Sequence, residues 1–113
     1  MQKTVIKTKA NTYFLRFTIN AHCEAEEMLG FPLTELEGKT GISVFRTLMY
    51  IGLKHGGHRD ITLEDAGDIM QEIIHDHGME YLSEVVSKAV QQSISKQEDN
   101  HFKREQGEGK KKI

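Results

Sequence analysis

The sequence predicts an α+β domain that is mainly α. An N-terminal β-hairpin packs on about four helices, and a disordered basic C-terminal tail follows. Three observations carry this. Residues 13–19 alternate between two faces, with Tyr13, Leu15, Phe17 and Ile19 on one and Phe14, Arg16 and Thr18 on the other. Four later segments place apolar residues at helical spacing. After Lys96 the chain is polar and nearly free of apolar residues.

Thr4–Thr8 and Tyr13–Ile19 are rich in β-branched and aromatic residues, the composition of strands. Between them Lys9-Ala10-Asn11-Thr12 is turn-like, because Asn tolerates positive φ. A lone hairpin is marginal in water, so its apolar face must pack on helices. Asn20 is the expected cap of a helix over 21–29, which Gly30 and Pro32 stop. Its acids Glu24, Glu26 and Glu27 leave Ala21, Ala25, Met28 and Leu29 to face inward. Leu33 to Glu37 adds a short turn before Gly38.

Thr40 or Ser43 is expected to cap the next helix, whose Val44, Phe45, Leu48, Met49, Ile51 and Leu53 are apolar over most of its circumference. A helix of that kind is central in the fold or covered by a partner. His55-Gly56-Gly57-His58-Arg59-Asp60 reads as a flexible connector. Thr62-Leu63-Glu64-Asp65 resembles a capping box, with Asp in place of the longer Glu or Gln. The helix it opens sets Leu63, Ala66, Ile69, Met70, Ile73 and Ile74 at helical spacing and stops at Gly78. The last helix, 79–95, carries Leu82, Val85, Val86, Ala89 and Val90. Residues 1–96 thus form one domain and 97–113 a tail that cannot offset its ordering entropy.

Composition narrows the function classes. The chain has 113 residues, enough for one domain with a real core. No stretch approaches the roughly 18 apolar residues of a membrane helix, and the N-terminus lacks the apolar core of a signal peptide. One Cys forms no internal disulfide, which points to a reducing cytoplasm. The net charge of −2 is unevenly spread: residues 1–19 hold four bases and no acid, and residues 20–99 hold 15 acids against 6 bases. An acidic middle repels a phosphate backbone, while the basic ends suit an acidic partner.

Chemistry-bearing residues are few. His55 and His58 lie in the glycine connector and His75-Asp76-His77 closes a helix, yet no pair has the i, i+4 spacing of a helical zinc motif. Histidines at a helix C-terminus also interact favourably with its dipole. Cys23 sits among Glu24, Glu26 and Glu27, which suppress a thiolate, so it reads as a small hydrophobe. Gly38-Lys39-Thr40 looks like the end of a phosphate loop, but the glycine five positions earlier is replaced by Leu33. No catalytic residue, metal or cofactor is expected, and the chain reads as a non-enzyme. The helix pair 43–54 and 62–76 imitates a helix-turn-helix, but the second helix offers Glu64, Asp65, Asp68, Glu72 and Asp76 and no Lys or Arg.

The run Tyr13-Phe14-Leu15-Arg16-Phe17-Thr18-Ile19-Asn20-Ala21 is followed by Glu24-Ala25-Glu26-Glu27-Met28-Leu29-Gly30. Then come Ser43-Val44-Phe45-Arg46-Thr47-Leu48-Met49-Tyr50-Ile51-Gly52-Leu53 and Ile61-Thr62-Leu63-Glu64-Asp65-Ala66-Gly67. In this order the four pieces resemble the tail assembly chaperones of long-tailed phages and prophages, over roughly residues 13–90. Phe45 and Ile51 depart from the family's commoner Leu and Ala, a change of volume that keeps the helix. The resemblance implies a non-catalytic assembly factor in the cytoplasm of the bacterial host. Its partners would be the largely helical tape-measure protein, which it keeps soluble, and the tail-tube protein, recruited through a frameshift-extended form. Lys110-Lys111-Lys112 suits such slippage, because lysine codons make an adenine run. The competing reading is a small phage regulatory or nucleic-acid-associated helical protein, which calls for a basic face.

An apolar surface would meet the tape measure. The expected partner-binding residues are Phe45, Met49, Tyr50 and Leu53 on one helix and Met70, Ile73 and Ile74 on the next. For any one of them the core is the competing place, and a homo-oligomer is the simplest cover without the tape measure.

Overall fold

The computed structural model describes residues 3–38 and 41–95. Strands β1 (Thr4–Lys7) and β2 (Thr12–Leu15) pair antiparallel, with Ile6 opposite Tyr13 and Val5 opposite Phe14. Ile6, Tyr13, Leu15 and then Phe17 line the buried face, as the alternation requires. The strand is shorter than its sequence pattern. Past Leu15 the Arg16 amide donates to the Gly52 carbonyl of a helix (3.0 Å) instead of to the hairpin, and Ile19 is exposed. The turn is closed by Thr8, whose amide donates to the Asn11 carbonyl (2.8 Å) and whose Oγ1 accepts from the Ala10 and Asn11 amides.

Helix α1 (Ile19–Leu29) starts two residues before its expected bound. Thr18, in extended conformation, caps it by accepting from the Ala21 amide (3.1 Å), so Asn20 is already helical. Gly30 ends it at φ 84°, a left-handed position that glycine adopts at little cost. Ala21 and Ala25 are buried, but Met28 is exposed, and so is Cys23, which is therefore not a core hydrophobe. A 3₁₀ turn, Leu33–Gly38, follows, its entry fixed by the Glu26 carboxylate accepting from the Leu33 amide (2.8 Å).

Helix α2 (Ile42–His55) begins behind Gly41, which caps without a side-chain bond. Neither Thr40 nor Ser43 is the cap. Ser43 lies inside the first turn, where its carbonyl accepts from the Thr47 hydroxyl. The helix is central: it packs against β2, α1, α3 (Leu63–His77) and α4 (Met79–Ser95), which explains its nearly continuous apolar circumference. Fully burying side chains such as Leu48, Ile51 and Leu53 contributes roughly 1.5–3 kcal/mol each.

The connector after α2 is packed at its start, while Gly57, Arg59 and Asp60 are exposed. Gly56 is buried, and the amides of Gly56 and His58 both donate to the Leu53 carbonyl (3.0 and 2.9 Å). The capping box forms as expected: the Asp65 amide donates to Thr62 Oγ1 and the Thr62 amide to the Asp65 carboxylate. At Gly78 (φ 94°) the chain breaks between α3 and α4 within a single residue. The basic tail and its expected disorder lie outside the described residues.

The polar side of α3 holds the hairpin tip rather than facing only water. Glu72 accepts from the Thr8 hydroxyl, the Asn11 side-chain amide (3.1 Å) and the Tyr13 phenol (2.5 Å). Asp76 accepts from the Lys9 amide (2.7 Å), and His77 Nε2–H donates to the Lys7 carbonyl (2.6 Å) while its ring stacks on Tyr81. Burial first, and then the Glu72 carboxylate, raise the Tyr13 phenol from 10.0 to about 12. The donors on Glu72, Thr8 foremost, lower its carboxyl below the usual range.

Both shifts fix the sign of a pH effect. The unfolded chain loses the Tyr13 proton before the folded chain does, so this part of the stability is complete below pH 10 and is lost between pH 10 and about 12. Glu72 contributes above the normal carboxylate range and loses that contribution as pH falls through its lowered value. Glu72→Ala should lower stability at neutral pH by about 2 kcal/mol and flatten the acid limb of a melting-temperature profile. Tyr13→Phe should flatten the alkaline limb.

Candidate functional site

The expected partner-binding residues separate once the chain folds. Phe45, Met49, Leu53, Met70 and Ile73 are buried, each at most 4% exposed. Phe45, Met49, Leu53 and Ile73 are core residues, because a domain this small needs its largest apolar side chains inside, whereas Met70 keeps an edge in a groove between α2 and α3. Tyr50 and Ile74 are half-buried, and of the two only Ile74 lines the groove between α2 and α3. Tyr50 instead lies beside Lys54, whose ammonium is 5.7 Å from the ring centroid.

What the fold builds is a groove between the start of α2 and the middle of α3. It encloses about 290 Å³ and is lined by Ile42, Arg46, Gly67, Met70, Gln71 and Ile74. That volume is at the small end of ligand-pocket sizes, roughly 300–1,000 Å³. It suits side chains from a partner surface better than an enclosed small molecule. Two helices form it. Met70 and Ile74 are one turn apart on α3, and Gly67, one residue short of a turn before Met70, leaves the space that a side chain would fill. A Cβ at Gly67 would lie 3.5 Å from Arg46 Cδ, an ordinary contact, so the hollow comes from the missing side chain and not from backbone strain.

Ile42 at the rim is 60% exposed, the most open of the large apolar residues described. The sequence does not single it out, because the apolar stripe reads from Val44 and a cap at Ser43 would leave Ile42 outside the helix. Gly is an acceptable N-cap, and a start behind Gly41 puts Ile42 in the first turn, one turn ahead of Arg46. The remaining open apolar residues, Val5, Ile19 and Met28, lie on the hairpin and α1, away from the groove lining.

The histidines are dispersed in use. His55 Nε2 lies 2.9 Å from Glu24, whose carboxyl is lowered by that contact and by Lys54. His58 stands 6.0 Å from the Tyr13 ring, and His77 holds the hairpin. Among the described residues, no group of three or more His, Cys, Asp or Glu is placed to hold a metal ion. Among them, too, no helix is long and apolar enough to cross a membrane. A broader, polar hollow beside the hairpin is lined by Tyr13, His58, Asp60, Asp65, Asp68 and Glu72 among others.

No protein-family model, curated protein or solved structure matches the chain.

Proposed function

We propose that the chain is a non-catalytic tail assembly chaperone, which binds the tape-measure protein of a long-tailed phage or prophage and keeps it soluble. The observation that carries the reading is the groove between α2 and α3. It is apolar, it has an exposed isoleucine at its rim, and Arg46 and Gly67 of its lining belong to two of the four segments on which the family resemblance rests. An amphipathic helix reads such a groove with apolar anchors spaced a turn apart, and a tape measure that is largely helical supplies them. The acids of the middle of the chain favour this use, since like charges outside keep coated complexes apart. The partner-binding set becomes Ile42, Met70 and Ile74, with Gly67 as the opening, so two of the seven residues expected from sequence remain in it.

Methyl chemical shifts test this directly. Adding a helical tape-measure segment should move the Ile42 and Ile74 methyl signals and leave those of Ile6, in the hairpin core, in place. Unmoved groove signals with a bound segment would put the binding surface elsewhere.

Recruitment of tail-tube protein through a frameshift-extended form belongs to the same proposal. Lys110-Lys111-Lys112 lies outside the described residues, and the gene decides the matter. A slippery adenine run in codons 110–112, with an open frame continuing in the shifted register, is the expected finding. A run broken by synonymous codons, or no continuing frame, would remove the extended form from the account.

A further inference from the structure

A third hollow lies where the hairpin meets the end of α2. It encloses about 480 Å³ and is lined by Lys3, Arg16, Lys54, His55 and Arg59, together with Gly56 and Gly57. No Asp or Glu is among its lining residues, in a chain whose residues 20–99 hold 15 acids against 6 bases. Glu24 pairs with both Lys54 (2.7 Å) and His55 (2.9 Å). Lys3, Arg16 and Arg59 have no ion pair among the described residues, although Lys3 lies over the Phe14 ring. Arg16 Nε is buried and has no acceptor among the described residues. The backbone that carries Arg16 is fixed on both sides: the Arg16 amide donates to the Gly52 carbonyl, and the Phe14 carbonyl lies close against Gly56.

Cations brought together with one carboxylate, Glu24, among them repel one another and lose hydration, so this arrangement favours an anion. Guanidinium groups match oxyanions with two parallel hydrogen bonds, which singles out carboxylate or phosphate as the bound group. The neighbouring surface decides between them. The polar hollow beside the cleft shares Gly57 and Arg59 with it and carries Asp60, Asp65, Asp68 and Glu72. A nucleic acid running out of the cleft in that direction would meet these carboxylates with a phosphate at every nucleotide. A peptide can place acids in the cleft and neutral or basic residues beyond it.

We propose that this cleft binds an acidic segment of a partner protein, with Asp or Glu carboxylates engaged by Arg16, Arg59 and Lys3. The site is separate from the apolar groove and does not depend on what the groove binds.

The test uses the full chain, a fluorescent peptide in which a short run of glutamates is flanked by neutral residues, and anisotropy at low salt. The peptide should bind, and raising the salt should weaken it. The double variant Lys3→Glu with Arg59→Glu should weaken it at least about tenfold, the scale of losing close charge pairs at an interface. Both residues are exposed, so a thermal melt should show the double variant folded. Lys88→Glu, an exposed position on α4 outside the cleft, should leave binding within about twofold once compared at equal salt. An equally charged single-stranded oligonucleotide should bind more weakly than the peptide. Absence of peptide binding, equal losses at Lys88 and at the cleft, or tighter binding of the oligonucleotide would each overturn the proposal.

Discussion

Gly56→Ala should destabilise the protein by at least about 3 kcal/mol, the largest loss expected from any single methyl group added to this fold. The added Cβ would lie 2.1 Å from the Phe14 carbonyl oxygen, 2.8 Å from the Phe14 carbonyl carbon and 2.9 Å from the Gly52 carbonyl oxygen. All three atoms are backbone, so no rotamer change relieves the clash. The cause is proximity and not dihedral angle, because Gly56 has φ −87° and ψ 0°, which alanine adopts readily. Relief requires β2 to move off α2, which also pulls the Arg16 amide from the Gly52 carbonyl and loosens Leu15 and Phe17. Gly57→Ala next door meets no atom within 4 Å, although its φ of 121° is strained for alanine. Its cost should be about 1–2 kcal/mol. Chemical denaturation of the two variants checks the order, and equal losses would mean that the close approach at Gly56 does not hold the hairpin.

Filling the groove should separate binding from folding. Gly67→Ala adds a methyl group at ordinary contact distance from Arg46 and removes a glycine from a helix interior. It should stabilise α3 by up to about 1 kcal/mol and leave most of the hollow open. Gly67→Leu gains similar helix propensity but places an isobutyl group where the partner's side chain would go. Tape-measure binding should fall at least about tenfold, as for a blocked interface pocket, with thermal stability at or above that of the parent chain. Co-purification with the tape-measure protein, read beside a thermal melt, makes the comparison. A Gly67→Leu protein that folds and still captures its partner fully would exclude the groove as the contact.

The legible parts of this fold are those written in periodicity and local capping. The inward row Tyr13, Leu15 and Phe17 and the Thr62–Asp65 capping box form as expected, and α4 spans 79–95. Boundaries failed where tertiary contacts compete with local signals. Thr18 outcompetes Asn20 as the α1 cap because its hydroxyl reaches the Ala21 amide. Residues 16–18 keep strand alternation but leave the sheet, since Arg16 bonds α2. Gly56 read as part of a flexible connector, yet with Gly52, one turn earlier, it forms the seat for β2. That role depends on a strand some 40 residues away in sequence, which periodicity does not encode.

The candidate site was half legible. Met70 and Ile74 were singled out and do line the groove, but hydropathy alone ranks Phe45, Met49, Leu53 and Ile73 equally, and all four are core. Which face of an apolar helix stays open depends on how far its neighbours cover it. Ile42 is open because it sits in the first turn of α2, and Gly67 matters by what it lacks. In the sequence the acids of α3 serve only to argue against a recognition helix, whereas Glu72 and Asp76 bind the hairpin tip through donors that only the fold brings near.

The central claim is that the α2–α3 groove solubilises a tape-measure protein, and one co-expression experiment tests it most directly. The tape-measure protein is produced alone, with the parent chain, and with Ile74→Asp, whose half-buried site should tolerate the change at a cost below about 3 kcal/mol. The account predicts that the parent chain brings the tape-measure protein into the soluble fraction and co-purifies with it, and that a folded Ile74→Asp does neither. Insoluble tape measure in the presence of the parent chain, or full rescue by Ile74→Asp, would contradict it.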